Sequence, residues 1–352
     1  REMDPSQLFT IGLGIATSIS TIYIGSYIDI IEEVENATEN PDRSVVHHNV
    51  TMSQAISYPV YASVSLLSLY LFFDYMQYIL VFSIIFSSAY GLYILFFTVF
   101  HKYQILPSSF SSNLCSLIIS LIVVIEWIRS GNVLCHDLLG CALCILFISA
   151  LRFPSLKIAT ITLGLLVLYD IFWVFFSEYF FDKNVMVEVA TKNASNPVQD
   201  VGEYLNIEML KKTTETMNLP IKLIFPNLFA PNARAMMLGL GDIALPGALI
   251  AYARRSDVAF ASVSNHKRRE DIEEQALTGH ADTSYGTSLF TFALAGYLIG
   301  LFCAFLGSIL SQHAQPALIY IVPGVILFLS YRGYTIGRFN DMWLGTYKAS
   351  EN

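Results

Sequence analysis

Charged residues are scarce in this chain, and their scarcity excludes several classes of protein. Lys, Arg, Asp and Glu together supply 14% of the 352 residues. No basic cluster is interleaved with aromatic side chains, so we expect no nucleic-acid partner. The formal net charge of −8 is spread through the polar connections and identifies no partner by itself.

Cysteine is rare as well, with five residues that lie in or beside apolar runs. Cys141 and Cys144 have the C-x-x-C spacing, but no second pair of Cys or His residues completes a zinc ligand set. Packing between helices is therefore the favoured role of these thiols. We expect neither a metal nor an organic cofactor.

Hydrophobic residues, in contrast, make up 54% of the chain and fall in long blocks. About 20 apolar residues of helix are needed to cross the hydrocarbon core of a bilayer. The sequence therefore predicts an all-α polytopic membrane protein of about nine transmembrane helices. The predicted spans are 8–27, 54–73, 77–100, 113–128, 133–151, 156–178, 235–252, 288–311 and 316–333. We divide the chain into a scaffold of five helices, 1–153, and a catalytic part, 154–352.

The positions of Lys and Arg predict how the chain is oriented. Basic residues gather at 152–157, at 254–269 and at 332–348, which nine spans place on one side. That side is cytosolic by the positive-inside rule. The N-terminus and the 179–234 loop are then lumenal, and the 253–287 loop and the C-terminus are cytosolic.

Three glycosylation sequons test this orientation. Asn36 and Asn49 begin N-x-T sequons in the first connection, which we predict to be cytosolic and unmodified. Asn193 begins an N-x-S sequon in the predicted lumenal loop, so it is the glycosylation candidate.

The 179–234 loop also contains two candidate strands. Residues 184–191 alternate at period two and are rich in β-branched side chains, and residues 221–225 end at Pro226. Both patterns are typical of short strands. We therefore expect a small β-hairpin between the sixth and seventh helices.

Two acidic residues lie deep inside predicted spans, where a charge costs about 2.5–3.5 kcal/mol. Asp170 lies inside the sixth span and Asp242 inside the seventh, neither with a basic residue within one helical turn. Asp74, Glu126, Asp137 and Glu178 lie near span ends and are interpreted as interfacial, Glu126 paired with Arg129.

Two such carboxyls gain most by meeting each other, since like charges at close range cannot both ionise. A carboxylate that activates water beside a carboxylic acid that polarises a carbonyl is the chemistry of aspartic proteases. The same pair could relay protons in a coupled transporter, and the residue chemistry leaves both open. A transporter would more often show two interrupted helices in related halves, which are not visible. A non-catalytic scaffold gives no reason for the two acids.

Glycine and proline residues, which weaken or interrupt a helix, lie beside Asp242 and in the last predicted span. Gly239 and Gly241 remove side chains beside Asp242, and Pro246 cannot donate to the Asp242 carbonyl. Pro316 and Pro323 predict irregular backbone in the last span, which membranes tolerate only around a buried or wet cavity.

Three motifs together resemble the GxGD intramembrane aspartyl proteases, which include presenilin and the signal peptide peptidases. They are Tyr169-Asp170, Gly239-Leu240-Gly241-Asp242 and Pro316-Ala317-Leu318. The resemblance implies that Asp170 and Asp242 are catalytic and that the other motif residues contact substrate. Since a peptide bond inside a helix is shielded, we also expect a substrate helix to be unwound at the site. Strand residues such as Val187 would then hold the substrate backbone by adding it to a sheet edge.

Within that family, residues 169–176, 184–191 and 315–320 are similar to the signal-peptide-peptidase-like 3 branch. This implies residence in the Golgi, with the endoplasmic reticulum or a later secretory compartment as alternatives. The implied partners are type II membrane proteins, glycosyltransferases among them, and membrane lipid. Association with further copies of the chain is left open.

Overall fold

The computed structural model describes most of the chain in two compact units. The described residues are 5–39, 50–103, 105, 108–192, 194–197, 199, 204, 206, 216–226, 236–265, 288–311 and 315–346. The first unit comprises Arg1–Thr10, Ser63–Leu146 and Ser177–Leu240. The second comprises Ile11–Ala62, Phe147–Phe176 and Gly241–Asn352. These two units do not correspond to the scaffold part, 1–153, and the catalytic part, 154–352, and that functional division stays a prediction.

Helices account for most of the described chain. The first six are α1 (Pro5–Glu39), α2 (Met52–Leu71), α3 (Phe73–Lys102), α4 (Ser109–Ser130), α5 (Val133–Ala150) and α6 (Leu156–Ile171). A π-helix, Phe172–Phe176, continues α6 without a break and leads into α7 (Ser177–Phe181) and α8 (Val185–Thr191). The later helices are α9 (Gly241–Asn265), α10 (Leu289–Ser311), α11 (Leu318–Thr335) and α12 (Phe339–Leu344).

Seven of the described helices are long and apolar enough to cross a membrane. These stretches are Leu8–Ile31, Phe73–Lys102, Phe110–Ser130, Val133–Ala150, Leu156–Phe181, Leu289–Ser311 and Leu318–Thr335. The predicted spans 54–73 and 235–252 fall mainly on α2 and α9, which lie outside this set, and each contains a proline, Pro59 or Pro246. The prediction of an all-α polytopic membrane protein is confirmed.

Two short antiparallel sheets accompany the helices, both in the first unit. β1 (Ala194–Ser195) pairs with β2 (Thr216–Met217), and β3 (Lys222–Phe225) pairs with β4 (Met236–Gly239). Lys222 lies opposite Gly239, and Phe225 lies opposite Met236. The hairpin predicted between the sixth and seventh spans is therefore present, and the candidate strand at 221–225 is confirmed as β3.

The strand predicted at 184–191 is wrong, because this segment forms α8. The Val185 N–H donates to Ser177 Oγ at 3.3 Å, and the Glu188 N–H donates to Asn184 O at 2.9 Å. These local bonds satisfy the backbone, whereas a strand would need a partner edge, and no described strand pairs with this segment. Val187 therefore lies on a helix.

The seventh predicted span is also wrong at its beginning. Residues 236–239 form β4, and the helix begins only at Gly241. Glycines at 239 and 241 weaken a helix by about 1 kcal/mol each relative to alanine, so the transition falls where helix propensity is lowest.

Glycines let α10 and α11 pack with their backbones close together in the second unit. A Cβ atom added at Gly296 would lie 2.6 Å from Gly324 O, and one at Gly300 would lie 2.7 Å from Ile321 Cα. Either contact is too short for a real side chain. Small residues allow this close approach between membrane helices, and it fixes where α11 begins relative to α10.

Candidate active site

Asp170 lies in the last turn of α6, immediately before the backbone changes to a π-helix. Its side chain is 5% exposed. The Tyr169 ring lies 6.4 Å from the ring of Trp173, which is itself buried. Because π-helical turns are frequent at functional sites, the backbone after Asp170 points to this position independently of the acid.

Asp242 lies in the first turn of α9 and is half-buried. The sequence placed it within a helix, but it follows a strand that ends only three residues earlier. A Cβ atom added at the preceding Gly241 would meet no heavy atom within 4 Å, so the space beside this backbone is open. The acid therefore lies where a strand changes to a helix.

The third motif lies at the start of α11. Pro316 is buried, Ala317 precedes the helix, and Leu318, 6% exposed, is its first residue. The N–H groups of Tyr320 and Ile321 both donate to Ala317 O at 3.1 Å. The irregular backbone that the two prolines predicted is therefore confined to the residues before the helix.

The second unit brings the three motif-bearing helices together. α6, α9 and α11 each contact the other two. Asp170, Asp242 and Leu318 thus lie on mutually packed elements, although 72 residues separate the two acids in the chain. Tyr169 belongs to the same unit, whereas Gly239, Leu240 and Val187 belong to the first unit. Asn193 lies outside the described residues.

The hairpin that precedes Asp242 is held by the first turns of α5. His136 is 2% exposed, and its Nε2 lies 3.0 Å from Leu219 O. The Asp137 carboxylate accepts the Ile224 N–H at 3.0 Å and also lies 3.0 Å from His136 Nδ1. One helical turn later, a Cβ atom at Gly140 would lie 2.9 Å from a Leu223 methyl group. Asp137, interpreted from sequence as interfacial, thus anchors β3.

The anchoring leaves the two edges of the hairpin unequal. The Leu240 N–H donates to Ile221 O at 3.2 Å, so alternate β3 residues, Lys222 and Ile224, direct their backbone groups away from β4. Asp137 already occupies the outward Ile224 N–H. On the other edge, Met237 and Gly239 direct their N–H groups outward, and no described strand pairs with them.

The remaining acids divide into predicted and unpredicted cases. Glu126 forms the expected exposed ion pair with Arg129, at 3.1 Å. Asp29, in contrast, is fully buried in α1 and pairs with Arg152 and Arg255, and the sequence analysis missed it. The available signal was an acid between Ile28 and Ile30, just past the end of the first predicted span. Among the described residues, no group of three His, Cys, Asp or Glu side chains could hold a metal ion.

Comparisons with known proteins give the same interpretation over most of the chain. The family model described as signal peptide peptidase matches residues 42–349. Signal peptide peptidase-like 1 of Arabidopsis thaliana is 36% identical over 356 residues, covering 94% of this chain and 91% of that protein. A protein with the same name from Oryza sativa subsp. japonica is 33% identical, covering 94% and 92%.

A protein named signal peptide peptidase-like 3 is also similar to this chain, but over a shorter stretch. Signal peptide peptidase-like 3 of Arabidopsis thaliana is 32% identical over 209 residues, covering 59% of this chain and 31% of that protein. The family match covers far more than half of the chain and includes all three motifs. This chain belongs to the signal peptide peptidase family and is an intramembrane aspartic protease.

Proposed function

We propose that this protease cleaves the transmembrane segments of type II membrane proteins, glycosyltransferases among them, with Asp170 and Asp242 as its catalytic pair. The observation that carries the proposal is the mutual packing of α6, α9 and α11. The packing places Asp170 and Asp242 on neighbouring helices. Neither carboxyl has a basic residue within its own helical turn.

The two acids divide the chemistry of peptide hydrolysis between them. The N-terminal end of a helix favours negative charge, and Asp242 lies in the first turn of α9. We therefore assign the carboxylate to Asp242 and the shared proton to Asp170. Asp242 takes a proton from water as the water oxygen attacks the carbonyl carbon, and Asp170 protonates the carbonyl oxygen. Collapse of the tetrahedral intermediate breaks the C–N bond. The amine leaves with the proton from Asp242, and Asp170 takes back the proton of one gem-diol hydroxyl, so that the product is a carboxylic acid and the pair returns to its starting state.

The substrate backbone must become extended before it can be cut, since a helix shields its peptide bonds. We propose that the substrate adds as a strand to the outward edge of β4, at Met237 and Gly239. The opposite edge of the hairpin is less suitable because Asp137 occupies the Ile224 N–H. Gly239 precedes Asp242 by three residues in the chain, so at most about 10 Å of extended backbone separates them.

The proposed cellular setting follows from orientation and resemblance. A lumenal N-terminus and a cytosolic C-terminus match the direction of a type II substrate helix in the peptidase group. We propose a Golgi location, with the endoplasmic reticulum or a later secretory compartment as alternatives, and contact with membrane lipid.

Cleavage of a type II reporter by the parent and by Asp170→Ala and Asp242→Ala variants tests the proposal. Loss of at least 10⁴-fold in product is expected for both, because neither half of the acid–base pair works alone. Unchanged melting temperatures serve as the folding control. Retained cleavage in either variant would contradict the paired-acid mechanism, and cleavage of a matched type I reporter instead would contradict the substrate class.

A further inference from the structure

A fully buried carboxylate in α1 joins three segments of the second unit. Asp29 is 0% exposed. Arg152 Nε lies 2.8 Å from Asp29 Oδ1, and Arg152 Nη2 donates to the Asp29 backbone carbonyl at 2.9 Å. Arg255 Nη1 donates to Asp29 Oδ2. One carboxylate therefore binds two guanidinium groups, which come from opposite sides of the active-site sequence.

These two arginines lie before one candidate acid and after the other in the chain: Arg152 is 18 residues before Asp170, and Arg255 is 13 residues after Asp242. Arg152 lies just before α6, whose 14 residue steps from Leu156 to Asp170 correspond to a rise of about 21 Å. Arg255 lies 13 steps after Asp242 in α9, a rise of about 20 Å. Asp29 therefore attaches α9 itself and the connection that leads directly into α6.

We propose that Asp29 is a positioning residue for catalysis, which sets the axial register of α6 against α9 through Arg152 and Arg255. The register places the two carboxyls at one depth, so that they can share a proton and a water. The inference rests on the proposed pairing of the acids. Displacement of reacting groups by about 1 Å can cost a factor of about 10² in rate. A slip of one helix by one residue, about 1.5 Å, therefore exceeds the tolerance.

The neighbouring Arg254 provides a matched comparison. It is 5% exposed, lies 4.8 Å from the ring centroids of Tyr23 and Phe290, and donates to Ser26 Oγ at 3.1 Å. Arg254 thus connects α9 to α1 and α10 by contacts of its own. Its loss is expected to lower stability without changing how α6 is placed against α9.

The kinetic experiment compares Asp29→Asn, Asp29→Glu and Arg254→Met in the full-length protein, per folded molecule. Asp29→Asn is expected to lower kcat by about 10- to 100-fold with KM within twofold. Asp29→Glu, which keeps the charge, is expected to restore most of kcat, and Arg254→Met to keep kcat within twofold. Parent-like kcat in Asp29→Asn, or an equal loss in Arg254→Met, would overturn the proposal. If Asp29→Asn does not fold, Arg255→Lys replaces it, since Lys keeps the charge but lacks the planar fork.

A second measurement needs no activity and separates this inference from the proposed mechanism. The five native cysteines are replaced, Asp170 and Asp242 are changed to Cys, and a protease site is inserted within 207–215. A short bis-maleimide then joins the two fragments if the thiols are close. No product with native Asp29 would contradict the paired acids themselves. Product that is strong with native Asp29 and lost with Asp29→Asn is expected, and equal product in both would overturn the role of Asp29.

Discussion

At the scale of single residues, Asp257 is a partly buried carboxyl that caps a helix and lies outside the predicted spans. Its Oδ1 accepts the Leu289 N–H and its Oδ2 accepts the Phe290 N–H, both at 2.9 Å, at the start of α10. Burial raises the pKa of Asp257 to about 6, although these hydrogen bonds and Arg332 oppose the shift. The carboxyl therefore holds α9 to α10 and titrates near neutral pH.

The raised pKa of Asp257 predicts a pH dependence of stability. A carboxyl whose pKa is higher in the folded than in the unfolded state stabilises the fold below its unfolded pKa, and that contribution disappears as pH rises through about 6. Asp257→Asn stays neutral and still accepts a hydrogen bond. The melting temperature of the variant minus that of the parent should rise by about 2–4 °C from pH 5 to pH 7. Parallel melting profiles across that range would contradict the prediction.

Asp29 shows why residue roles were only partly predictable. Asp170 and Asp242 stand out in the sequence because depth alone makes an acid costly. Asp29 lies past the end of the first predicted span, and its partners lie 123 and 226 residues away. No pattern within one helix reports such a contact, so only the assembled second unit shows it.

At the scale of elements, the β3–β4 hairpin gives a sharp test of how substrate binds. Met237→Pro removes an outward N–H from β4, and Lys222→Pro removes an outward N–H from β3, with neither one needed for β3–β4 pairing. Met237→Pro should lower reporter cleavage about tenfold or more, because the substrate strand loses a backbone partner. Lys222→Pro is the matched control and should keep most of the activity. Equal effects of the two prolines on cleavage would contradict pairing at the β4 edge.

Helices were more predictable than strands for a physical reason. An apolar run of about 20 residues has few alternatives in a membrane, so every predicted span falls at least partly on a helix. Residues 184–191 alternate like a strand, yet seven residues also make two helical turns, and local bonds from Ser177 and Asn184 decide the outcome. The strand before Asp242 was missed because apolar residues 236–238 fit a span equally well.

At the scale of the whole molecule, the orientation predicts which sequon carries a glycan. With a lumenal N-terminus, enzymatic deglycosylation should shift the mobility of the protein, and Asn193→Gln should abolish that shift. Asn36→Gln and Asn49→Gln should leave the shift intact, because this orientation would place both asparagines in the cytosol. Asn36 lies in the part of α1 that continues beyond the first predicted span, whereas Asn49 and Asn193 lie outside the described residues. A shift abolished by changing Asn36 or Asn49 would reverse the orientation.

The glycine contacts between α10 and α11 also affect the lipid around the protein. α11 has 18 residues, about 27 Å of helix, whereas α10 has 23, about 34 Å. Gly307 packs against Gln315, yet α10 continues to Ser311, about 6 Å further. The non-helical residues before α11 therefore lie beside Gly307, about 6 Å short of the end of α10 along the axis of that helix. Hydrophobic mismatch of this kind is relieved when the bilayer thins locally, at fractions of a kcal/mol per Å. The bilayer should therefore be thinner beside Pro316 than around the rest of the protein.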